Sequence, residues 1–232
     1  MIKSKGRDNM LKNLISLKNP KSQAAEAFRT LRTNIQFSSL DDDIKSLVVT
    51  STGPSEGKST VMANLAVTMA QSGKRVVLID CDFRKPTVHK KFGLSNSQGL
   101  TNVLAQDKKI LECIIGTNVP NLYVITSGPT PPNPAELLGT KKMKSILNEI
   151  SCTFDMVLID APPVLAVTDA QILSTLANGT IFVASYGQAE KYALVKAKES
   201  IEKVGGKVLG VVINKIPEQS KGYYGKYYYY GS

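Results

Sequence analysis

The sequence predicts an α/β fold, a doubly wound and mostly parallel sheet with helices on both faces. Three observations lead there. Six short runs rich in Val, Ile and Leu are apolar almost without interruption, as strands covered on both faces are. Helical patterns separate most of them, and such alternation implies βαβ units with right-handed crossovers. The chain has 232 residues, 42% of them hydrophobic, enough for one sizeable core.

The elements follow in order. Ser22–Phe37 reads as an amphipathic helix ahead of the first strand. Strands are expected at Leu47–Thr50, Arg75–Asp80, Leu122–Thr126, Met156–Asp160, Thr180–Ala184 and Val208–Asn214. Helices are expected at Ser59–Gln71, Ala135–Ile150, Asp169–Ala177 and Ala189–Val204, with Gly73, Gly179 and Gly205-Gly206 as stops. The last segment, Lys221–Ser232, holds six of the nine tyrosines and no aliphatic residue. Such a segment cannot bury itself and reads as a free tail.

Composition removes several function classes. The formal net charge is +10, from 29 Lys and Arg against 19 Asp and Glu. That balance suits nucleic acid, an anionic membrane or polyphosphate. The lysines are scattered, with no run of five, so a solvated surface biased toward anions is expected rather than a dedicated nucleic-acid groove. No window of 18 apolar residues predicts a membrane span, and the basic start lacks the apolar stretch of a secretory leader. Cys81, Cys113 and Cys152 are odd in number and form no CxxC pair, which argues against a disulfide framework or a zinc site and for the cytosol. His89 is the single histidine, so His-based metal clusters are excluded; in its charged HKK setting it reads as a surface side chain.

The strongest local signal begins at Leu47. A buried strand runs into a small-residue loop, then Gly57-Lys58-Ser59-Thr60, then a helix. This is the setting of a P-loop, in which backbone N–H groups and a helix N-terminus cradle phosphates. Lys58 supplies a point charge to the β/γ oxygens, Ser59 places a hydroxyl for Mg²⁺, and Gly57 lets the backbone come close. The strict pattern wants Gly five residues before Gly57; Thr52 stands there, and Gly53 one place later.

Two further strands end in acid. Val76–Asp80 continues into Cys81, Asp82, Phe83 and Arg84, with two Asp at i and i+2, which strand alternation puts on one side. Met156–Asp160 has the Walker B form. Sites in doubly wound sheets lie beyond the strand C-termini, so Asp80, Asp82 and Asp160 should meet the phosphate loop at one edge. Mg²⁺ wants a few oxygen ligands, and a hydroxyl acceptor wants an orienting carboxylate. Arg84 serves either transition-state charge or a structural pair. Asn214, at the end of the last strand, either reads an adenine edge or closes a turn.

Together the phosphate loop, Val76–Arg84 and Met156–Asp160 resemble the Walker A, A′ and B motifs of the bacterial tyrosine kinases of capsule and exopolysaccharide synthesis. Glu26, Arg29 and Arg32 match that family's ExxRxxR oligomerisation motif, and their spacing of three places them on one helix face. Tyr223, Tyr224, Tyr227, Tyr228, Tyr229 and Tyr230 match its autophosphorylation cluster, and Pro131–Leu138 is also similar. The resemblance spans Ser22 to Tyr230.

It implies one P-loop kinase domain over residues 1–220, with an oligomerisation helix at about 22–37, and a flexible tyrosine-rich tail at 221–232. It implies ATP and Mg²⁺ as cofactors. Gly53, Glu56, Gly57, Lys58, Ser59, Thr60 and Asn214 would hold the nucleotide; Ser59, Asp82 and Asp160 the metal. Lys58, Asp80, Asp82 and Arg84 would form the catalytic set, with Asp80 engaging the acceptor hydroxyl. A ring of copies would phosphorylate neighbouring tails, each phosphate adding about −1.5 to −2 charge and loosening the ring. The implied partners are a transmembrane adaptor acting through its cytoplasmic tail, a cognate tyrosine phosphatase and other tyrosine-bearing proteins. The implied location is the cytoplasm, at the inner membrane face through the adaptor.

Two alternatives stand beside this. One is a partitioning or positioning ATPase acting as an assembly switch; that class carries a second loop lysine four residues before the GK glycine, where this chain has Gly53. The other is a regulatory scaffold that binds nucleotide with little chemistry.

Overall fold

In a computed structural model, which describes residues 14–38, 44–106 and 108–217, all six apolar runs form strands. In chain order the strands are β1 (Ser46–Ser51), β2 (Val76–Asp80), β3 (Ile115–Gly116), β4 (Leu122–Ile125), β5 (Met156–Asp160), β6 (Gly179–Ser185) and β7 (Val208–Asn214). They make one sheet in the order β3-β4-β2-β5-β1-β6-β7. Every pairing is parallel except that of β3 with β4. The doubly wound, mostly parallel sheet is therefore as the sequence predicts.

Alternation along the strands builds two cores. Leu47 and Val49 of β1, Leu78 of β2 and Leu158 of β5 face helices α1 (Ile15–Lys18), α2 (Gln23–Phe37), α3 (Lys58–Gln71) and α4 (Val88–Phe92). Val48, Val77, Ile79, Val157 and Ile159 face the opposite layer. That layer holds α5 (Leu100–Ala105), α6 (Pro134–Leu138), α7 (Lys141–Thr153), α8 (Asp169–Ser174) and α9 (Lys191–Glu202). Period-two packing of this kind decides where the strand-end acids point. Asp80 and Asp160 are in register on neighbouring strands and share the parity of Leu78 and Leu158, so both face the layer of α3. Past the strand end the alternation persists, with Cys81 and Phe83 buried in the opposite core.

Helix α3 is buried along nearly its whole length, and its Ala63, Ala66 and Ala70 let it lie close against the sheet. Helix α2 is capped by Ser22, whose Oγ accepts the Ala25 N–H at 3.2 Å, and it packs Ile35 into the same core.

Several expectations differ from the structure. The single helix expected over Ala135–Ile150 is two helices. Helix α6 stops at Gly139, and Thr140 starts α7 by accepting the Met143 N–H at 3.2 Å. Helix α8 ends at Ser174, three residues early. Between β2 and β4 lie α4, α5, a 3₁₀ turn at Ile110–Cys113 and β3, none of them foreseen; pieces this short carry no readable period. His89, in α4, is half-buried rather than a surface side chain, and burial, then Lys90, lowers its pKa. Strand β7 is an edge, so Val211 and Ile213 are 46% and 47% exposed although the apolar run suggested cover on both faces. No described helix is long and apolar enough to cross a membrane. The Lys221–Ser232 segment, with its tyrosine cluster, lies outside the described residues.

The cap on α7 is directly testable. Thr140→Ala should lower the unfolding free energy by about 1 kcal/mol in a denaturant titration; an unchanged midpoint would mean that Thr140 does not start the helix.

Candidate active site

The loop between β1 and α3 is held from three sides. From within, Glu56 turns back and is buried, accepting the Thr52 hydroxyl at 3.0 Å and the Gly53 N–H at 2.9 Å. Ser51 Oγ donates to the Gly53 carbonyl at 2.7 Å. From the end of β7, Asn214 Nδ2 donates to the Glu56 carbonyl at 2.9 Å and Lys215 Nζ to the Ser55 carbonyl at 2.7 Å. Asn214 lies so close that a Cβ on Gly57 would sit 2.2 Å from its Nδ2, and φ at Gly57 is +95°. Only glycine fits there on both counts.

This clamping leaves a cradle. Ser55 and Gly57 have positive φ, and the backbone N–H groups of Ser55, Glu56, Gly57, Lys58 and Ser59 find no acceptor among the described residues. Successive N–H groups so arranged, at the N-terminus of a 14-residue helix, form an anion nest. The donor set fits a nucleotide's phosphates.

Next to the cradle, three elements meet at Lys58. Its Nζ donates to Asp82 Oδ2 at 2.8 Å and to Asp160 Oδ1 at 3.1 Å. Ser59 Oγ donates to Asp160 Oδ2 at 2.6 Å. Burial alone would pull the ammonium down, but the charges of Asp160 and Asp82 outweigh it and hold Lys58 above its ordinary value. Asp160 is fully buried, and that burial pushes its carboxyl up against the pull of Lys58 and Ser59. Ser59, Asp82 and Asp160 present only oxygen donors, a set suited to Mg²⁺.

Asp80 sits one strand away, fully buried. Its Oδ1 accepts the Asp82 N–H at 3.2 Å, and its Oδ2 accepts those of Thr87 and Val88 at 3.1 and 3.0 Å. Burial, then repulsion from Asp160, pushes its carboxyl up to about 8, although the Val88 N–H and Lys58 oppose the shift. In this geometry Asp80 shapes the segment 82–88 and starts α4. Cys81, between the two acids, is buried, and burial raises its thiol well above the ordinary range.

The remaining predicted residues fall as follows. Arg84 makes a structural pair: its Nε and Nη2 each lie 3.1 Å from a different oxygen of Asp169, itself fully buried at the start of α8. Nothing in the sequence pointed to Asp169, whose partner is 85 positions away. Thr60 is exposed, and its Oγ1 accepts from Lys91 Nζ of α4 at 2.9 Å, another contact not foreseen. At Gly53 a Cβ would meet nothing within 4 Å. Glu26 and Arg29 pair with each other on the surface of α2. Arg32 instead donates to the Thr68 carbonyl of α3 at 3.1 Å. Two steps of three residues turn a helix by roughly 120°, which carries Arg32 off the shared face. All three cysteines are free.

Comparison with known proteins adds a second line. Residues 46–207 match a family model described as an AAA domain. The tyrosine-protein kinase YwqD of Bacillus subtilis (strain 168) is 49% identical over 219 residues, 93% of this chain and 92% of that protein. The crystal structure of the chimerical protein CapA2B2 superposes with a TM-score of 0.85 at 41% identity, over 88% of this chain and 90% of that one. The kinase domain of the Escherichia coli tyrosine kinase ETK superposes with a TM-score of 0.86 at 31% identity, over 94% of this chain and 84% of that one.

The raised Asp80 carboxyl has a measurable consequence. The folded chain keeps this proton up to about pH 8, whereas the unfolded chain releases it near the ordinary carboxylate value of 3.8. Folding therefore binds a proton across that window, and stability falls as pH rises through it. In protein free of nucleotide and Mg²⁺, denaturant midpoints should fall more steeply with pH for wild type than for Asp80→Asn, whatever the variant's offset at low pH. Parallel curves would contradict the assignment.

Proposed function

Because the chain belongs to the bacterial tyrosine-protein kinases, we propose that it transfers the terminal phosphate of ATP to tyrosines in the 221–232 segment of a neighbouring copy. The observation that carries this reading is the anion nest beside a lysine held by two strand-end carboxylates. We further assign it to the control of capsular or exopolysaccharide synthesis and export, on the strength of the motif resemblance.

The residues divide the work as follows. The nest and Lys58 bind and orient the phosphates, with Asn214 and Glu56 keeping the loop in shape. Ser59, Asp82 and Asp160 hold Mg²⁺, which when bound supplies charge neutralisation at the phosphates. Phosphoryl transfer asks the protein mainly for positioning and charge stabilisation, so a strong base is not needed. A phenol has a pKa near 10 and is neutral at pH 7, so its proton must be taken up or oriented by a carboxylate. Asp80 can meet that phenol only if the segment 82–88 moves, because its oxygens are occupied by three backbone N–H groups. Asp82 lies past the strand end, facing Lys58, and while that segment stays in place it is the carboxylate we assign to the acceptor side. The Arg84–Asp169 pair fastens the segment after β2 to α8 and so fixes where Asp82 stands.

The tail reaches its target on another copy. Twelve extended residues span roughly 40 Å. Glu26, exposed on α2, and its half-buried partner Arg29 offer polar groups for a ring-forming contact. A transmembrane adaptor would bring the chain to the inner membrane face and activate it, a tyrosine phosphatase would reset it, and other tyrosine-bearing proteins would serve as further acceptors.

Incubation with ATP and Mg²⁺, together with the adaptor's cytoplasmic segment, should give phosphotyrosine on the tail by mass spectrometry. Lys58→Met should abolish it. Mixing full-length Lys58→Met with an active chain ending at Lys221 should label the full-length variant, because the phosphate crosses between copies. Release of inorganic phosphate without phosphotyrosine would favour an assembly-switch ATPase instead.

A further inference from the structure

Lys58 is poorly placed to balance a polyphosphate alone. Its one charge is already met by Asp82 and Asp160, at 2.8 and 3.1 Å. A second ammonium lies at the same helix end. Lys91 Nζ is 2.9 Å from Thr60 Oγ1, and among the described residues it has no carboxylate within ion-pair distance.

Its position is built rather than incidental. Helix α4 is started by Asp80, which accepts the Thr87 and Val88 N–H groups. It is pinned by Val88 and Phe92, buried at 1% and 2% exposure against the α3 layer. It ends at Gly93, whose φ is +62°. Lys91 precedes the buried Phe92, so its stem is carried over the first turn of α3. At that turn the Thr60 N–H is bonded to Gly57, and the Thr60 carbonyl takes the Asn64 amide at 2.9 Å. Lys91 occupies a lone pair on Oγ1. The Thr60 hydroxyl hydrogen is then left with no acceptor among the described residues, on an exposed side chain beside the nest. A hydroxyl that accepts from an ammonium is a better donor to an anion.

We propose that Lys91, acting directly and through Thr60, is a second phosphate-binding element of this site, supplying from α4 a positive charge that the loop itself lacks at Gly53. The proposal rests on the nucleotide reading above and adds a residue to it from outside the three motifs. It also gives Asp80 a purpose that needs no contact with substrate, since Asp80 anchors the helix that carries Lys91.

The test is Mg-ATP binding by titration calorimetry, at low and at physiological ionic strength, for wild type, Lys91→Met, Lys91→Arg and Thr60→Val. Lys91→Met should bind roughly tenfold more weakly or worse at low salt, the low end of the range for a hydrogen bond to a charged group. Its affinity should also depend less on salt than that of wild type. Lys91→Arg should stay within about twofold of wild type, since it keeps the charge. Thr60→Val should weaken binding in the same direction, and combining it with Lys91→Met should add less than the sum. Should the Met variant fold poorly, Lys91→Gln serves the same comparison. A Lys91→Met protein that binds Mg-ATP like wild type, with the same salt dependence, overturns the proposal and leaves the nucleotide reading intact. Wild type that takes up no Mg-ATP overturns both.

Discussion

One largely buried ammonium ties this edge of the sheet together. Lys58 belongs to the first turn of α3, Asp160 to the last residue of β5, and Asp82 to the segment leaving β2; their contacts are 2.8 and 3.1 Å. Removing Lys58 leaves two buried carboxylates without their counter-charge, which costs far more than an exposed pair could return. The rest of the site inherits its geometry from this junction. The loop before α3 is drawn to the sheet edge, Ser59 is placed on the second oxygen of Asp160, and the segment after β2 is directed across the mouth of the site.

The clamp has an electrostatic counterpart. Three carboxylates and one ammonium crowd a small buried volume, and burial, then repulsion from Asp160, pushes the Asp80 carboxyl up to about 8. Around this centre the supporting contacts work by holding backbone. Glu56 and Asn214 shape the phosphate loop, and the Arg84–Asp169 pair holds the segment after β2. Asp80 orders α4.

Much of this was legible in the sequence, because local rules decide it. The bounds of β5 and β7 follow from unbroken apolar runs ended by a polar residue, and Gly57–Thr60 announces its cradle through its place between strand and helix. The shared side of Asp80 and Asp82 follows from alternation that outlasts the strand. What stayed hidden depends on partners distant in the chain or on pieces too short to show a period. Nothing near Arg84 indicates Asp169, and nothing near Thr60 indicates Lys91. The break at Gly139 was missed although the apolar spacing slips there, from Leu138 to Met143, and Thr140 stands where the next helix needs its cap. Arg32 reads as a surface charge until α3 is laid beside α2.

The junction at Lys58 can be measured directly by a double-mutant cycle on unfolding free energy, with Lys58→Met, Asp160→Asn and the pair, in protein free of nucleotide and Mg²⁺. Strong coupling is expected: Lys58→Met costs about 3 kcal/mol or more in the wild-type background and about 2 kcal/mol less once Asp160 is Asn. Additive losses would contradict it, because they would mean that the ammonium and the carboxylate do not depend on each other.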